Sequence, residues 1–310
     1  MTAVAVAVIN FNTREHLRAC LTTVAAESPP EVVVVDNGST DGSIEMVRRD
    51  FPGVTLHVDP RNRGYGAASN EAIARCTAPY VLLLNSDTLL PPGALAALAS
   101  HLDRHPRAAV VGPRLVNPDG TLQPSCFAFP SPLGTLLENA RADKVVRRIP
   151  RLRERYLRTW SHARAREVPW VMGAALAIRR QAFDAVGGFD ESFFMYFEEV
   201  DLSYRLRAAG WETHFAPVTD VIHAGGASTA QWRTDMYARL FLSSMHYYEM
   251  HHSRLRSLGA AAVVKLSMLA RLARDTTRFH ATRDAGRRAE LTERMVAWRR
   301  VLRGPWRLTH

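Results

Sequence analysis

Four short runs, each ending on a cluster of polar residues, constrain this chain more than anything else in it. Ala3 to Ile9, Glu31 to Val35, Val54 to Val58 and Val81 to Leu84 are all of strand length. The first, second and fourth leave no solvated side, the pattern of strands covered on both faces. Helical patterns separate them: Arg14 to about Ala26, Ser43 to about Asp50 with Asp41 or Ser43 as cap, and a segment through Cys76. Strand, polar loop and helix thus repeat four times in about 90 residues, which predicts an α/β fold with a parallel sheet and right-handed crossovers. Ligands of such sheets bind beyond the carboxyl ends of the strands.

The polar clusters at those ends are therefore the candidate site. They are Asn10-Phe11-Asn12-Thr13, Asp36-Asn37-Gly38, the stretch from Asn62 through Gly64 to Asn70, and Asn85-Ser86-Asp87. An aromatic face such as Phe11 can stack on a base, and a carboxylate such as Asp36 can accept from its N–H. Asn85 and Asp87 share parity on an extended chain, so both can meet a metal-bound diphosphate while Ser86 turns away. Singly, each cluster has an ordinary reading as a turn, a core aromatic or a strand end closed by turn formers. Their joint placement at successive strand ends favours a nucleotide. Gly64 and Gly66 permit close backbone approach, but the dinucleotide spacing Gly-x-Gly-x-x-Gly is absent from the first strand-helix turn.

Further along, a helix after Pro91-Pro92-Gly93 runs to about His105, Ala109 to Val111 reads as a short strand, and Arg114 to Pro132 as an irregular loop. Arg141 to Arg166 is basic, either a solvated helix or a flap over a diphosphate. Trp170 to Ile178 reads as one strand containing Gly173, where a side chain would obstruct a sugar; tight packing is the other reading. Glu198, Glu199 and Asp201 open a helix marked at its end by Gly210. The helix dipole alone favours carboxylates there, but the aromatics from Phe193 to Phe197 would partly desolvate one and raise its proton affinity, as a base needs. His223, after an apolar pair at a strand end, is a satisfied polar residue or a neutral imidazole completing a metal shell.

These motifs, in this order, resemble family 2 glycosyltransferases with the GT-A fold. The carrying blocks are Val8-Ile9-Asn10-Phe11-Asn12, Val34 to Ser43, Asn62-Arg63-Gly64-Tyr65-Gly66, Leu84-Asn85-Ser86-Asp87, Trp170 to Ala175, Phe189 to Leu202 and Val221 to Gly226. They cover about residues 3–230 and are most similar to bacterial rhamnosyltransferase-like members, in which Asn-Ser-Asp stands for the Asp-x-Asp metal motif. The resemblance implies an inverting, metal-dependent transfer from a nucleoside-diphosphate sugar, with dTDP-rhamnose the expected donor and a UDP-sugar, in a galactofuranosyl-type transfer, the alternative. It assigns a divalent ion, Mg2+ or Mn2+, to Asp87 and His223. Asn10, Phe11, Asp36, Asn62, Gly64, Asn70, Asn85 and Ser86 would hold the donor, and Trp170, Gly173 and Ala174 the acceptor. The base falls on Glu199, with Glu198 and Asp201 as alternatives. Here the chain departs from the family, whose second acid is Asp; Glu199 adds one methylene of reach.

Charge places the remainder. The net charge is +10, yet residues 231–310 hold 16 Arg and Lys against 6 Asp and Glu, so residues 1–230 balance at 24 against 24. Residues 141–166 alone carry 10 basic and 2 acidic side chains. A balanced GT-A domain over 1–230, with its nucleotide half to about 112, is thus expected to carry a helical, basic C-terminal region over 231–310. Such localised charge suits a phosphate-bearing or anionic-lipid partner better than nucleic acid. Helices over Met236 to His251 and Ala260 to Ala273 are expected, the second with an apolar face of Ala262, Val263, Leu266, Leu269 and Ala270 edged by Lys265, Arg271 and Arg274. That face reads as a homodimer interface or as an interfacial helix on anionic lipid, with Trp298 and Trp306 suited to a headgroup region. Cys20, Cys76 and Cys126 are far apart, so neither a disulfide framework nor a zinc site is expected. The N-terminus lacks a signal-peptide pattern and no run spans a bilayer. The expected place is the cytoplasm, peripheral on the inner face of the membrane, with a glycan or polyprenyl-linked acceptor. A sugar nucleotidyltransferase would want a glycine-rich basic loop after the first strand, which Asn10-Phe11-Asn12-Thr13 is not; a nucleic-acid-binding protein driven by the C-terminal arginines is the non-enzymatic alternative.

Overall fold

A computed structural model of the chain describes residues 2–131, 134, 160–225 and 233–304. They fall into two compact units, one of residues 2–129, 160–194 and 198–225, the other of 130–131, 134, 195–197 and 233–304. The first unit is built on β1 (Val4–Asn10), β2 (Val32–Asp36), β3 (Thr55–Val58) and β4 (Tyr80–Asn85), which pair in parallel in the order β3-β2-β1-β4. The connecting helices are α1 (Arg14–Ala26), α2 (Ser43–Asp50) and α3 (Tyr65–Ala74). Because the chain steps one way from β1 to β3 and then crosses back to β4, right-handed crossovers put α1 and α2 on one face and α3 on the other. Val4, Val6 and Val8 accordingly share a core cluster with Leu17, Leu21, Met46 and Val47. Ala5 and Ala7 have the opposite parity, and their small side chains suit the close approach of α3. Leu82, Leu83 and Leu84 are fully buried, each contributing roughly 1.5–3 kcal/mol.

The rest of the sheet carries the site's far side. After β5 (Thr88–Leu89) and α4 (Ala94–Arg104), β6 runs from Ala108 to Val116, longer than the short strand expected over Ala109 to Val111. It is followed by β7 (Leu122–Gln123), β8 (Cys126–Phe127) and β9 (Arg166–Glu167). The expected strand from Trp170 to Ile178 is two strands. Its first part, β10 (Trp170–Val171), pairs with β8 in a small separate sheet, where Val171 packs so closely on β6 that a Cβ at Gly112 would lie 2.8 Å away. Its second part, β11 (Ala175–Arg179), enters the main sheet antiparallel between β4 and β6. After α5 (Arg180–Ala185) and α6 (Glu198–Ala208), β12 (Glu212–His223) pairs in parallel with β6 and antiparallel with β5. The expected basic flap falls largely outside the described residues; only its end, from Trp160, is inside them.

The second unit contains α7 (Arg233–His251), α8 (Arg254–Ala281) and α9 (Ala285–Arg303), longer helices than the sequence suggested. They bury Leu242, Met245, Ala261, Val264, Met268, Trp298 and Val301 together. Trp298 is thus a core residue rather than a headgroup anchor, and its indole N–H donates to Asp275 at 3.0 Å; Trp306 lies outside the described residues. Helix α8 buries Ala260, Ala261, Val264 and Met268 and leaves Leu266 and Leu269 exposed. The expected apolar face is therefore a second stripe, apart from the one that packs.

Candidate active site

Sheet register sets the site at one level. Asn10 lies opposite Asp36, Ile9 opposite Asn85, and Asp36 opposite Val58, so the polar strand ends stand side by side. Within them runs a hydrogen-bond chain: Asn10 Nδ2 donates to Asp36 Oδ2 at 2.6 Å, Thr13 Oγ1 donates to Asn10 Oδ1 at 2.7 Å, and Thr13 Oγ1 lies 2.6 Å from Ser86 Oγ. The Ser39 N–H donates to the other Asp36 oxygen at 2.7 Å. All four side chains of the chain are buried. Asn10 and Ser86 therefore brace the floor and fix Asp36, while half-buried Phe11 stands at the mouth of β1. Asn12, held at a φ of +51°, accepts from the Thr40 N–H and ties this loop to the next.

Asp87 and His223 meet across the end of the sheet. Thr88 and His223 are register partners, and the Ala224 N–H donates to the Asp87 carbonyl at 3.0 Å. The side chains are buried, with His223 Nε2 3.3 Å from Asp87 Oδ1. Gln123 Nε2 donates to Asn117 Oδ1, which turns Gln123 Oε1 toward His223 Nδ1 at 2.7 Å. That bond fixes the proton on Nδ1 and leaves the Nε2 lone pair facing the carboxylate. His223 Nε2 is buried without a hydrogen-bond partner. An imidazole lone pair and a carboxylate aimed at one point are a fitting donor set for a divalent cation.

The three carboxylates of α6 are placed differently from one another. Asp201 is fully buried and bound by Arg205 through Nε at 2.8 Å and Nη2 at 2.6 Å, and Arg205 also donates to the carbonyls of Val186 and Gly188. Glu198 is buried; burial first and then the charge of Glu199 push its pKa well above the ordinary value. Glu199 is half-buried and reaches toward Gly173, where a Cβ would lie 3.8 Å from its Oε1. Tyr65 donates to the Gly173 carbonyl at 2.6 Å, and burial with the charges of Glu198 and Glu199 keeps its phenol protonated. A Cβ at Gly173 would meet protein only at ordinary contact distance, so tight packing does not demand a glycine there. Ala174 adjoins Asn85, whose N–H donates to its carbonyl at 3.0 Å.

Other expected donor residues serve the loop that delivers α6. Gly64 sits at φ +94°, and a Cβ there would fall 2.1 Å from the Phe194 carbonyl, which accepts from the Tyr65 N–H. Asn62 accepts from the Gly64 N–H at 3.1 Å. Asn70 is placed away from the strand ends: its amide donates to the Phe189 carbonyl and accepts from the Phe189 N–H, both at 2.9 Å. It is a clamp on the segment before α6. Trp170 stacks on Phe127 at 4.5 Å and donates to the Ala128 carbonyl.

The glycosyl transferase family 2 profile matches residues 5–201, from β1 into α6. The chain belongs to this family. It is 34% identical over 241 residues to the N-acetylglucosaminyl-diphospho-decaprenol L-rhamnosyltransferase of Mycobacterium tuberculosis, covering 73% of this chain and 77% of that protein. Its fold matches that of the mannosyltransferase PcManGT from Pyrobaculum calidifontis, solved with GDP-Man and Mn2+, at a TM-score of 0.54 and 18% identity over 97% of this chain and 87% of that one. GalNAc-T7, solved with UDP, GalNAc and Mn2+, matches at a TM-score of 0.54 and 16% identity over 72% of this chain and 44% of that one. The protein is a glycosyltransferase with a GT-A fold.

For this glycosyltransferase, several residues that brace the candidate site were not singled out by the sequence. Thr13, Ser39, Gln123 and Tyr65 lie in a loop, at a helix start or on the short strand β7, and Thr13, Gln123 and Tyr65 bond to residues 73, 100 and 108 positions away, which no local pattern carries. Tyr196 and Phe197, at φ +66° and +73°, turn the chain into α6. Two bulky residues in the left-handed region cost about 1–3 kcal/mol each and cluster at functional sites.

Proposed function

We propose that this protein is an inverting, metal-dependent rhamnosyltransferase that transfers from dTDP-rhamnose to a polyprenyl-linked or cell-envelope glycan. The observation that carries the mechanism is the pairing of a buried Asp87–His223 donor set with the half-buried Glu199 carboxylate beside Gly173. Phe11 stacks on the base, and Asp36, fixed by Asn10 and Ser39, accepts from its N–H. Asn85 orients the ribose or sugar. Bound at Asp87 and His223, a divalent ion would offset the charge that builds on the leaving diphosphate. Glu199 takes the proton of the acceptor hydroxyl as that oxygen bonds to the anomeric carbon from the face opposite the diphosphate. The bond to the diphosphate breaks as the new one forms, and one displacement inverts the centre. Asp201 is bound by Arg205 and Glu198 is turned into the core, whereas Glu199 faces Gly173, so geometry favours Glu199 among the three.

Rhamnose and the lipid-linked acceptor are supported by the name of the mycobacterial relative, an L-rhamnosyltransferase of N-acetylglucosaminyl-diphospho-decaprenol. An acceptor of that class brings the enzyme to the inner membrane face as a peripheral protein; among the described residues, no helix is long and apolar enough to cross a membrane. The test is nucleotide release from a panel of nucleoside-diphosphate sugars, with an N-acetylglucosaminyl-diphospho-polyprenol acceptor and Mg2+ or Mn2+. Release from dTDP-rhamnose that chelation abolishes is expected. Release from a UDP-sugar with none from dTDP-rhamnose would transfer the assignment to a UDP-sugar enzyme.

A further inference from the structure

At the opposite end of β12 from His223, three histidines converge. His101 and His105 stand one turn apart on and just after α4, and His214 lies near the start of β12, roughly 20 Å along the sheet from His223, because β12 bulges between Phe215 and Asp220. His101 Nε2 is 3.0 Å from His214 Nδ1, and the His101 and His105 rings stack at 4.2 Å. Among the described residues, this is the group of three or more His, Cys, Asp or Glu side chains whose ligand atoms all lie within 4.8 Å of one another. His101 and His214 are buried, and His105 is half-buried, leaving one side toward solvent.

We propose that His101, His105 and His214 form a second metal site, for a Zn2+-class transition ion, distinct from the site at Asp87. The outer hydrogen bonds favour it. His214 Nε2 lies 2.9 Å from Glu212 Oε2, so that nitrogen carries the proton and Nδ1 keeps its lone pair. His105 Nδ1 lies 2.8 Å from the His101 carbonyl, which fixes its proton in the same way and leaves Nε2 to bind. A carboxylate and a backbone carbonyl in these positions are the usual partners of metal-bound imidazoles. His101 joins through Nε2 once its proton moves to Nδ1. Two imidazole nitrogens on a tetrahedral Zn2+ sit about 3.3 Å apart; His101 Nε2 and His214 Nδ1 are 3.0 Å apart, and His105, whose ring is stacked on His101, must turn out of that stack for its Nε2 lone pair to meet the same ion. Three nitrogen ligands with a water in the fourth place suit Zn2+, whereas Mg2+ wants oxygen. Cysteine spacing predicted no zinc site; histidines from a helix and a distant strand supply one without cysteine. The site ties α4 to β12, a structural role.

The experiment uses the full-length chain, stripped with chelator and titrated with Zn2+ by calorimetry, with Co2+ absorption as the second probe. The double variant Asp87→Asn, His223→Ala removes the other site and is expected to retain one Zn2+ per chain. Its Co2+ form should show the intense visible bands of a tetrahedral ion. Adding His105→Gln, a half-buried change, should weaken Zn2+ at least 100-fold while circular dichroism stays unchanged; His214→Gln should do the same. Failure of the double variant to bind Zn2+, or binding unaltered by His105→Gln, would overturn the proposal and leave a hydrogen-bonded imidazole cluster.

Discussion

Glu198 and Glu199 are consecutive carboxylates with opposite uses, because a one-residue step on a helix turns one into the core and the other toward Gly173. Glu199→Gln keeps the size but accepts no proton, so turnover should fall about 10²–10⁴-fold with donor affinity nearly unchanged. Asp87→Asn should instead weaken donor binding and raise the metal concentration needed for half-maximal rate. Steady-state kinetics with metal titration separates the two; near-normal turnover in Glu199→Gln with loss in Glu198→Gln would pass the base to Glu198. For Glu198 the effect to measure is stability. Its folded pKa is raised above the ordinary 4.5, so the folded state holds a proton that the unfolded state gives up as pH rises. The stability linked to that proton is present below pH 4.5 and lost as pH rises toward the folded value. Glu198→Gln should remove this dependence, raising Tm at pH 8 relative to wild type more than at pH 5. An equal Tm difference at both pH values would contradict it.

Whole elements show a comparable contrast between packing and electrostatics. Asp275 is a fully buried acid in α8 that receives the Trp298 indole N–H and pairs with Arg274 and Arg294. Burial would raise its pKa, but the bonds from Trp298 and Arg274 and the charges of Arg294 and Arg274 hold it below the usual carboxylate range. Its stabilisation is therefore full above the ordinary 3.8 and lost as pH falls through the lower folded value. Trp298→Phe keeps most of the ring volume and removes one of the donors to an ionised carboxylate that keeps Arg274 and Arg294, so it should cost about 1–3 kcal/mol, read as a lowered denaturant midpoint. A change below a few tenths would show that the bond contributes nothing net. The sequence made the parallel half of the sheet legible, since β1, β2 and β4 are apolar runs with no competing helical period. It could not show β10 and β11 as separate strands, because Trp170 to Ile178 is apolar throughout and only the partner strand distinguishes them. Nor could it choose between the two apolar stripes of α8: period fixes that a face exists, not which neighbour covers it. The polar strand ends of the candidate site were legible because motif order carries them; that the Asn70 amide binds a backbone 119 residues away was not.

At the scale of the whole molecule, charge and exposed apolar surface coincide in one region. The entire net charge of +10 lies in residues 231–310, and α8 there leaves Leu255, Leu266 and Leu269 at 81%, 66% and 52% exposure. Lys265, Arg271 and Arg274 flank the last two. On an anionic surface each nearby Lys or Arg contributes about 1 kcal/mol, screened by salt, while inserted leucines add a salt-independent part. A homodimer would cover the same leucines but gains nothing from like charges brought face to face. Binding to anionic vesicles is therefore the expected outcome, and it would hold the enzyme where the proposed lipid-linked acceptor lies. Flotation should show binding to anionic vesicles, weak binding to zwitterionic ones, and a fall as salt is raised. Leu266→Ser with Leu269→Ser should remove the salt-resistant fraction and leave the low-salt attraction. If light scattering instead finds a dimer that this double substitution dissociates, with vesicle binding unchanged, the stripe is a subunit interface and the arginines alone meet the membrane.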